Sequence, residues 1–132
     1  MRRIYGLHLI MDGYVAETRA LEPQNVVSMF DAVVSVLDMR YLTAPEVARV
    51  DLDPVRLASD EAEGGWSIYA QITTSHIAFH GWPLRKAFMM DVFSCKPFDA
   101  ALAEHVIRKE LGVVDANVIR VERADPRRYH PG

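Results

Sequence analysis

Cysteine is almost absent from the sequence, because Cys95 is the only one among 132 residues. A single cysteine excludes an internal disulfide and a cysteine-based zinc cluster, and it is typical of proteins from reducing compartments. No apolar run approaches the roughly 20 residues of a membrane-spanning helix. The short apolar stretch 4–10 contains His8, precedes Asp12 and has no small-residue cleavage site, so it indicates a strand rather than a signal peptide. We therefore expect a cytoplasmic protein.

The sequence also lacks a strong excess of positive or negative charge. The formal net charge is −3, and the 15 basic and 18 acidic residues are interspersed along the chain. Without a basic stripe or block, nothing indicates binding to nucleic acid or to a membrane surface. Apolar residues make up 50% of the chain, enough for the core of one domain that we expect to span residues 1–132.

Hydrophobic periodicity predicts the order strand, helix, several strands, helix, strand. Apolar residues at helical spacing predict helices at 23–40 and 98–111, the second with Phe98, Leu102, Val106 and Leu111 facing inward. Alternating, β-branched and aromatic stretches predict strands at 4–12, 46–57, 66–74, 75–82, 87–95 and 117–123. Pro54 places the second of these at an edge or at a bulge. This order is typical of an α+β fold in which an antiparallel sheet carries two helices on one face. The other face would be left to a partner or to solvent.

Polar and nucleophilic side chains cluster between residues 67 and 95, inside strands that are otherwise apolar. Five of them stand out: Ser67, Ser75, His76, His80 and Cys95. His76 and His80 are four residues apart, so a straight strand puts both on one face, as a zinc site would also require. Only Asp91 or Cys95 could supply a third ligand, and we expect no metal. A hydrolase triad is disfavoured because no Gly-x-Ser-x-Gly elbow is present.

The same segment resembles the bacterial S-adenosylmethionine decarboxylase proenzymes. Residues 74–83, Thr-Ser-His-Ile-Ala-Phe-His-Gly-Trp-Pro, are similar to the family's Glu-Ser-His-x-x-x-His-Thr-Trp-Pro. Residues 91–95, Asp-Val-Phe-Ser-Cys, are similar to its Asp-Val-Phe-Thr-Cys. Ser67 stands eight residues before Ser75, where the family keeps a processing serine, and Gly6-x-His8-Leu9 resembles the opening strand. The likeness covers most of the chain.

The resemblance implies a proenzyme that cuts itself between Thr74 and Ser75. The Ser75 hydroxyl would attack the Thr74 carbonyl, Ser67 would stabilise the oxyanion, and His80 would be the processing base. His76 is a candidate supporting residue. Because Ser75 and His80 are five residues apart, a straight strand points them to opposite faces. Processing would then need a bulge, a twist or an approach from a neighbouring strand.

The resemblance also implies the chemistry that follows the cut. A pyruvoyl group derived from Ser75 would head the fragment 75–132, and neither a metal nor a nucleotide cofactor is expected. The group would form a Schiff base with a small amino-acid substrate and accept the electrons released as carbon dioxide leaves. Cys95 would donate the replacing proton, since a thiol with a pKa of about 8.5 is mostly protonated at neutral pH.

The implied activity is that of a pyruvoyl-dependent lyase that decarboxylates S-adenosylmethionine for spermidine and polyamine biosynthesis. The implied architecture is a two-layer α/β sandwich, and the implied functional unit is a homodimer of processed protomers. The activity, the two-layer architecture and the homodimer are all expectations that rest on the resemblance rather than on composition or spacing.

The sequence departs from the family pattern at three places. Thr74 stands where the family has Glu, and Leu84 replaces an acidic residue suited to binding ribose hydroxyls. The stretch 61–65, with Trp66 as the only nearby ring, replaces an aromatic residue that can stack on adenine. Self-processing would survive these changes, whereas binding of the nucleoside would weaken by roughly 1–3 kcal/mol for each lost group.

Two alternatives therefore stay open. In the first, the same chemistry acts on another amino acid such as arginine or ornithine, attracted by Glu61 and Glu63. In the second, the chain is an uncleaved, non-catalytic homologue that binds or regulates an active paralogue.

Overall fold

The computed structural model describes residues 4–50 and 64–124. The elements follow in the order β1 (Ile4–Val15), α1 (Pro23–Val36), β2 (Glu46–Val50), β3 (Gly65–Ile72), β4 (Ser75–Trp82), β5 (Ala87–Ser94), α2 (Ala100–Leu111) and β6 (Val113–Ala124). Short 3-10 turns lie at Thr18–Leu21 and Pro83–Arg85. Glu61, Glu63 and the later part of the strand predicted at 46–57 lie outside the described residues.

Helix α1 is shorter than the predicted helix at 23–40. It begins with Pro23, whose fixed φ suits the first helical position and whose missing N–H would have no partner there. It ends at Val36, and Asp38 takes a left-handed conformation with φ 54°. A left-handed residue cannot continue a right-handed helix, so residues 37–40 leave it.

Helix α2 has a recognisable cap at each end. The Asp99 carboxylate accepts a hydrogen bond from the Leu102 backbone N–H at 3.0 Å, and Gly112 ends the helix with φ 65°. We expected Leu102 to face inward, but its side chain is 42% exposed. The smaller Ala103 and Ile107 are buried instead.

The sheet is antiparallel throughout its described strands, in the order β2-β3-β4-β5-β1-β6. β2 lies at one edge, which is where Pro54 in the predicted strand 46–57 favours it. Neither helix of the described residues is long and apolar enough to cross a bilayer.

Burial alternates along the strands and separates two faces. In β4, Ile77 and Phe79 are fully buried under the helices, whereas His76 and His80 lie on the other side. Residues of both helices join the inward strand residues in one core, which includes Leu9, Met11, Phe30, Phe88 and Ile107. Both helices therefore cover one face, and the predicted α+β sandwich is confirmed. We call the opposite face, which carries His8, Ser67, His76, His80 and Asp91, the open face.

Candidate active site

The hairpin between β3 and β4 turns at Thr73 and Thr74. Thr74 has φ 55°, a left-handed conformation that is uncommon for a β-branched residue and costs about 1–3 kcal/mol. The Thr73 backbone N–H and hydroxyl both donate to the Arg40 carbonyl, at 3.1 and 3.3 Å. The turn is thus held against the segment that follows α1.

Tyr41 fixes that segment in turn. Its hydroxyl donates to the Asp31 carboxylate of α1 at 2.6 Å, and its backbone bridges to Ile72 at the end of β3. Burial, together with the hydrogen bond to Asp31, raises the pKa of Tyr41 well above its ordinary value. Helix α1, the Tyr41 segment and the strained turn are therefore connected by successive hydrogen bonds.

Ser75 follows the strained residue directly. It is 7% exposed, and its hydroxyl has no hydrogen-bond partner among the described residues. An unpaired buried hydroxyl costs roughly 1–3 kcal/mol. The Cys95 backbone N–H donates to the Thr74 carbonyl oxygen across a long 3.4 Å. A buried, unpaired hydroxyl thus lies next to a carbonyl whose oxygen already faces a donor.

Ser67 and His80 form a second group on the open face. They are directly opposite each other in the β3–β4 ladder, and Ser67 Oγ lies 2.9 Å from His80 Nδ1. The imidazole also lies beside Trp82, with ring centroids 6.5 Å apart. This pairing is the one expected of a serine and a base that act together.

The two groups are separated within one chain. The ladders of β4 with β3 and with β5 run from Ser75 onwards without a register shift, so β4 contains no bulge. Five residues of strand place His80 about 17 Å from Ser75, on the other face. The structure therefore brings Thr74, Ser75 and the Cys95 backbone together at one end of the hairpin, and Ser67 with His80 further along it.

His76 belongs to a third group, which also contains His8 and Asp91. Asp91 Oδ2 lies 2.8 Å from His8 Nε2 and 3.2 Å from His76 Nε2. Phe93 packs beside both imidazoles, with ring centroids 5.9 Å from His8 and 5.4 Å from His76. Tyr69 stacks on the His76 ring at 6.0 Å. These contacts fix the orientation of both rings.

The sequence model of the S-adenosylmethionine decarboxylase family matches residues 7–124. The chain belongs to this family. Its fold is similar to the crystal structure of the adenosylmethionine decarboxylase from Aquifex aeolicus VF5, with a TM-score of 0.73 over 93% of each chain at 18% identity. No curated protein matches the chain. Family membership, predicted from residues 74–83 and 91–95, is confirmed.

The open face of this family member has a shallow groove beside His80. One hollow of about 240 Å³ is lined by His8, Asp12, His80 and Asp91, among others. It adjoins a second hollow of about 300 Å³ that shares Asp12 and reaches Trp82. The groove thus carries two carboxylates and two imidazoles.

The sequence did not predict that His8 joins the polar groups of the open face. Asp91 was considered as a third ligand beside His76, but His8 was not, because 83 residues separate it from Asp91. Only the pairing of β1 with β5 brings the two together. The usable signal was a charged or titratable side chain inside a mostly apolar predicted strand, His8 in 4–12 and Asp91 in 87–95.

Proposed function

We propose that this family member cuts itself between Thr74 and Ser75 and decarboxylates an amino acid with the pyruvoyl group that results. The supporting observation is the unpaired, buried Ser75 hydroxyl beside the Thr74 carbonyl. Attack would form a bond from Ser75 Oγ to the Thr74 carbonyl carbon and break the amide bond, with the hydroxyl proton passing to the amine. The Cys95 N–H would stabilise the oxyanion. Cutting would also release the backbone strain of Thr74.

The next step needs a base to remove the Ser75 Cα proton, so that the ester eliminates and Thr74 leaves as a carboxylate. The dehydroalanine left at position 75 tautomerises to an imine, and water hydrolyses this imine to a ketone with release of ammonia. His80 is the proposed base, and its bond to Ser67 orients the imidazole. When formed, the pyruvoyl carbonyl supplies an electron sink for decarboxylation. Cys95, whose backbone already adjoins the cut, is the proposed proton donor.

Within one chain His80 is too distant for this task, and we propose that a second copy supplies it. A two-fold axis crossing β4 near its middle would lay the His80 end of each chain over the Ser75 end of the other. The open face exposes apolar side chains that such a contact would cover: Tyr69, Met89, Ile119 and Val121. The functional unit would be a homodimer.

The proposed substrate is S-adenosylmethionine, whose decarboxylated form donates the aminopropyl group from which spermidine is made. Asp12 lines the groove and would attract a cationic amino acid. Leu84, 66% exposed where the family has an acidic residue, favours a second candidate, a basic amino acid such as arginine or ornithine.

Intact mass tests the cut. The wild-type protein is expected to give two fragments divided after residue 74, the second without a free amine. Ser75→Ala is expected to stay a single species of 14.9 kDa. A wild-type protein that also stays whole after long incubation would refute self-processing and favour the non-catalytic homologue.

Mixed chains test the origin of the base. His80→Ala alone is expected to cut roughly 10²–10⁴-fold more slowly, and Ser75→Ala not at all. When the two chains, distinguished by mass, are co-expressed, only the His80→Ala chain is expected to be cut, at a restored rate. If mixing restores nothing, His80 does not act across two chains.

Release of labelled carbon dioxide from the processed protein tests the substrate. Release from S-adenosylmethionine supports the leading proposal, and release from arginine or ornithine alone supports the second candidate. A fully cut protein that releases carbon dioxide from none of the three would refute both.

A further inference from the structure

Three side chains from three adjacent strands of the sheet converge on the open face. His8 of β1 and His76 of β4 each pair with Phe93 of β5 in the ladders, so they flank it in one row across the sheet. Asp91 lies two residues along β5 on the same face. Both rings turn towards the Asp91 carboxylate rather than towards solvent.

We propose that His8, His76 and Asp91 bind a divalent first-row transition metal ion such as Zn²⁺. One ligand atom from each residue lies within 4.8 Å of the other two. The nitrogen-to-oxygen separations of 2.8 and 3.2 Å are close to the roughly 3.3 Å edge of a tetrahedron with bonds of about 2.0–2.1 Å to zinc. An ion at the centre would replace the hydrogen bonds that the two imidazoles now share through one carboxylate oxygen.

The surroundings suit a three-ligand site with an open position. The side chains of His8, His76 and Asp91 are 23%, 35% and 29% exposed, so an ion can reach them while water is partly excluded. Two imidazoles and one carboxylate suit zinc, iron, cobalt or nickel better than magnesium or calcium, which prefer oxygen ligands. His8 and Asp91 also line the 240 Å³ hollow, which leaves room for a water or a small ligand on the ion.

Rigid placement strengthens the inference. All three ligands stand on strands, which hold side chains more precisely than loops do. Phe93 contacts both imidazoles, and Tyr69 stacks on His76. The competing interpretation is a carboxylate that is hydrogen-bonded to the two imidazoles and binds no metal. The two interpretations predict different amounts of bound metal for each chain, and only the first predicts that replacing His8 or Asp91 weakens metal binding.

The experiment uses the full chain with Ser75→Ala, so that its outcome is independent of self-processing. After treatment with a chelator, the protein is titrated with Zn²⁺ by calorimetry, and bound metal is measured after dialysis. We expect one ion for each chain. His8→Gln and Asp91→Asn are each expected to weaken Zn²⁺ binding at least about 100-fold. Replacing a residue that only hydrogen-bonds to a metal ligand typically weakens binding by roughly 10–100-fold.

His105→Gln is the matched control, because His105 is an exposed imidazole on α2, outside the cluster. It is expected to leave affinity and stoichiometry unchanged. Thermal unfolding without metal checks that each variant folds, and added Zn²⁺ is expected to raise the Tm of Ser75→Ala but not of its Asp91→Asn derivative. Less than half an ion for each chain, or equal binding by the Asp91→Asn derivative, would overturn the proposal.

Discussion

The two faces of the sheet differ in what their side chains can do. The covered face is filled by apolar side chains, among them Phe79 and Phe88, whose rings stack with centroids 5.8 Å apart. Its buried polar residues, Ser75 and Ser94, are paired at one end of β4 and β5. The open face carries imidazoles, carboxylates and exposed apolar groups. Apart from Ser75 at the end of β4, residues adjacent in sequence therefore serve the core and the polar face separately, because strand parity assigns them to opposite faces.

The largest expected contrast between the faces is in stability. Phe79→Ala removes a fully buried ring and should lower the free energy of unfolding by about 3–5 kcal/mol. Met89→Ala on the open face, where the side chain is 52% exposed, should change it by no more than about 0.5 kcal/mol in the monomer. Urea denaturation in the Ser75→Ala background measures both. Comparable losses would contradict the division between the faces.

A smaller effect is expected from the strain at the end of the hairpin. Thr74→Gly should stabilise the uncut chain by about 1 kcal/mol, since glycine adopts a positive φ without steric cost. If the strain assists the cut, the rate should fall roughly fivefold, the factor that corresponds to about 1 kcal/mol of barrier. Fragment formation followed over time by mass gives the rate.

Lys86→Gly is the control for that experiment. Lys86 has φ 53°, almost the same conformation, but lies between β4 and β5, away from the proposed cut. It should give a similar gain in stability with no change in the cutting rate. Faster cutting by Thr74→Gly would instead mean that crowding by the branched threonine outweighs the strain.

The smallest expected effect concerns Tyr41, behind the turn. Its pKa is raised on folding by burial and by the Asp31 carboxylate, so above a pH of about 10 the unfolded chain loses a proton that the folded chain keeps. Stability from this group is present below that pH and declines as pH rises further. Unfolding measured from pH 8 to 11 should show a shallower decline for Tyr41→Phe, and identical curves would contradict this role.

Much of the fold could be predicted because its signals are local. The family segments at 74–83 and 91–95 identified the family, and parity correctly placed His76 and His80 on one face and Ser75 on the other. The inward side of α2 was harder to predict. Leu102 is exposed because the packing of α1 against α2 decides which stripe is covered, and that arrangement is not encoded in the spacing of one helix.

The candidate site was less predictable, for a similar reason. Spacing along the chain matched Ser67, Ser75, His80 and Cys95 to one constellation, but a straight β4 separates them into two groups. His8 joins Asp91 only through strand pairing across the sheet. Contacts made between distant segments, or between two copies, leave no periodic signal in the sequence.

A cut after Thr74 would divide the strands of the sheet between two polypeptides that stay associated. β1, β2 and β3 would belong to the first fragment and β4, β5 and β6 to the second, yet β1 lies between β5 and β6. Three of the five strand pairings, β3–β4, β5–β1 and β1–β6, would then join different fragments. Strands of the two fragments alternate in the sheet, so we expect the fragments to copurify and to unfold together in one cooperative transition.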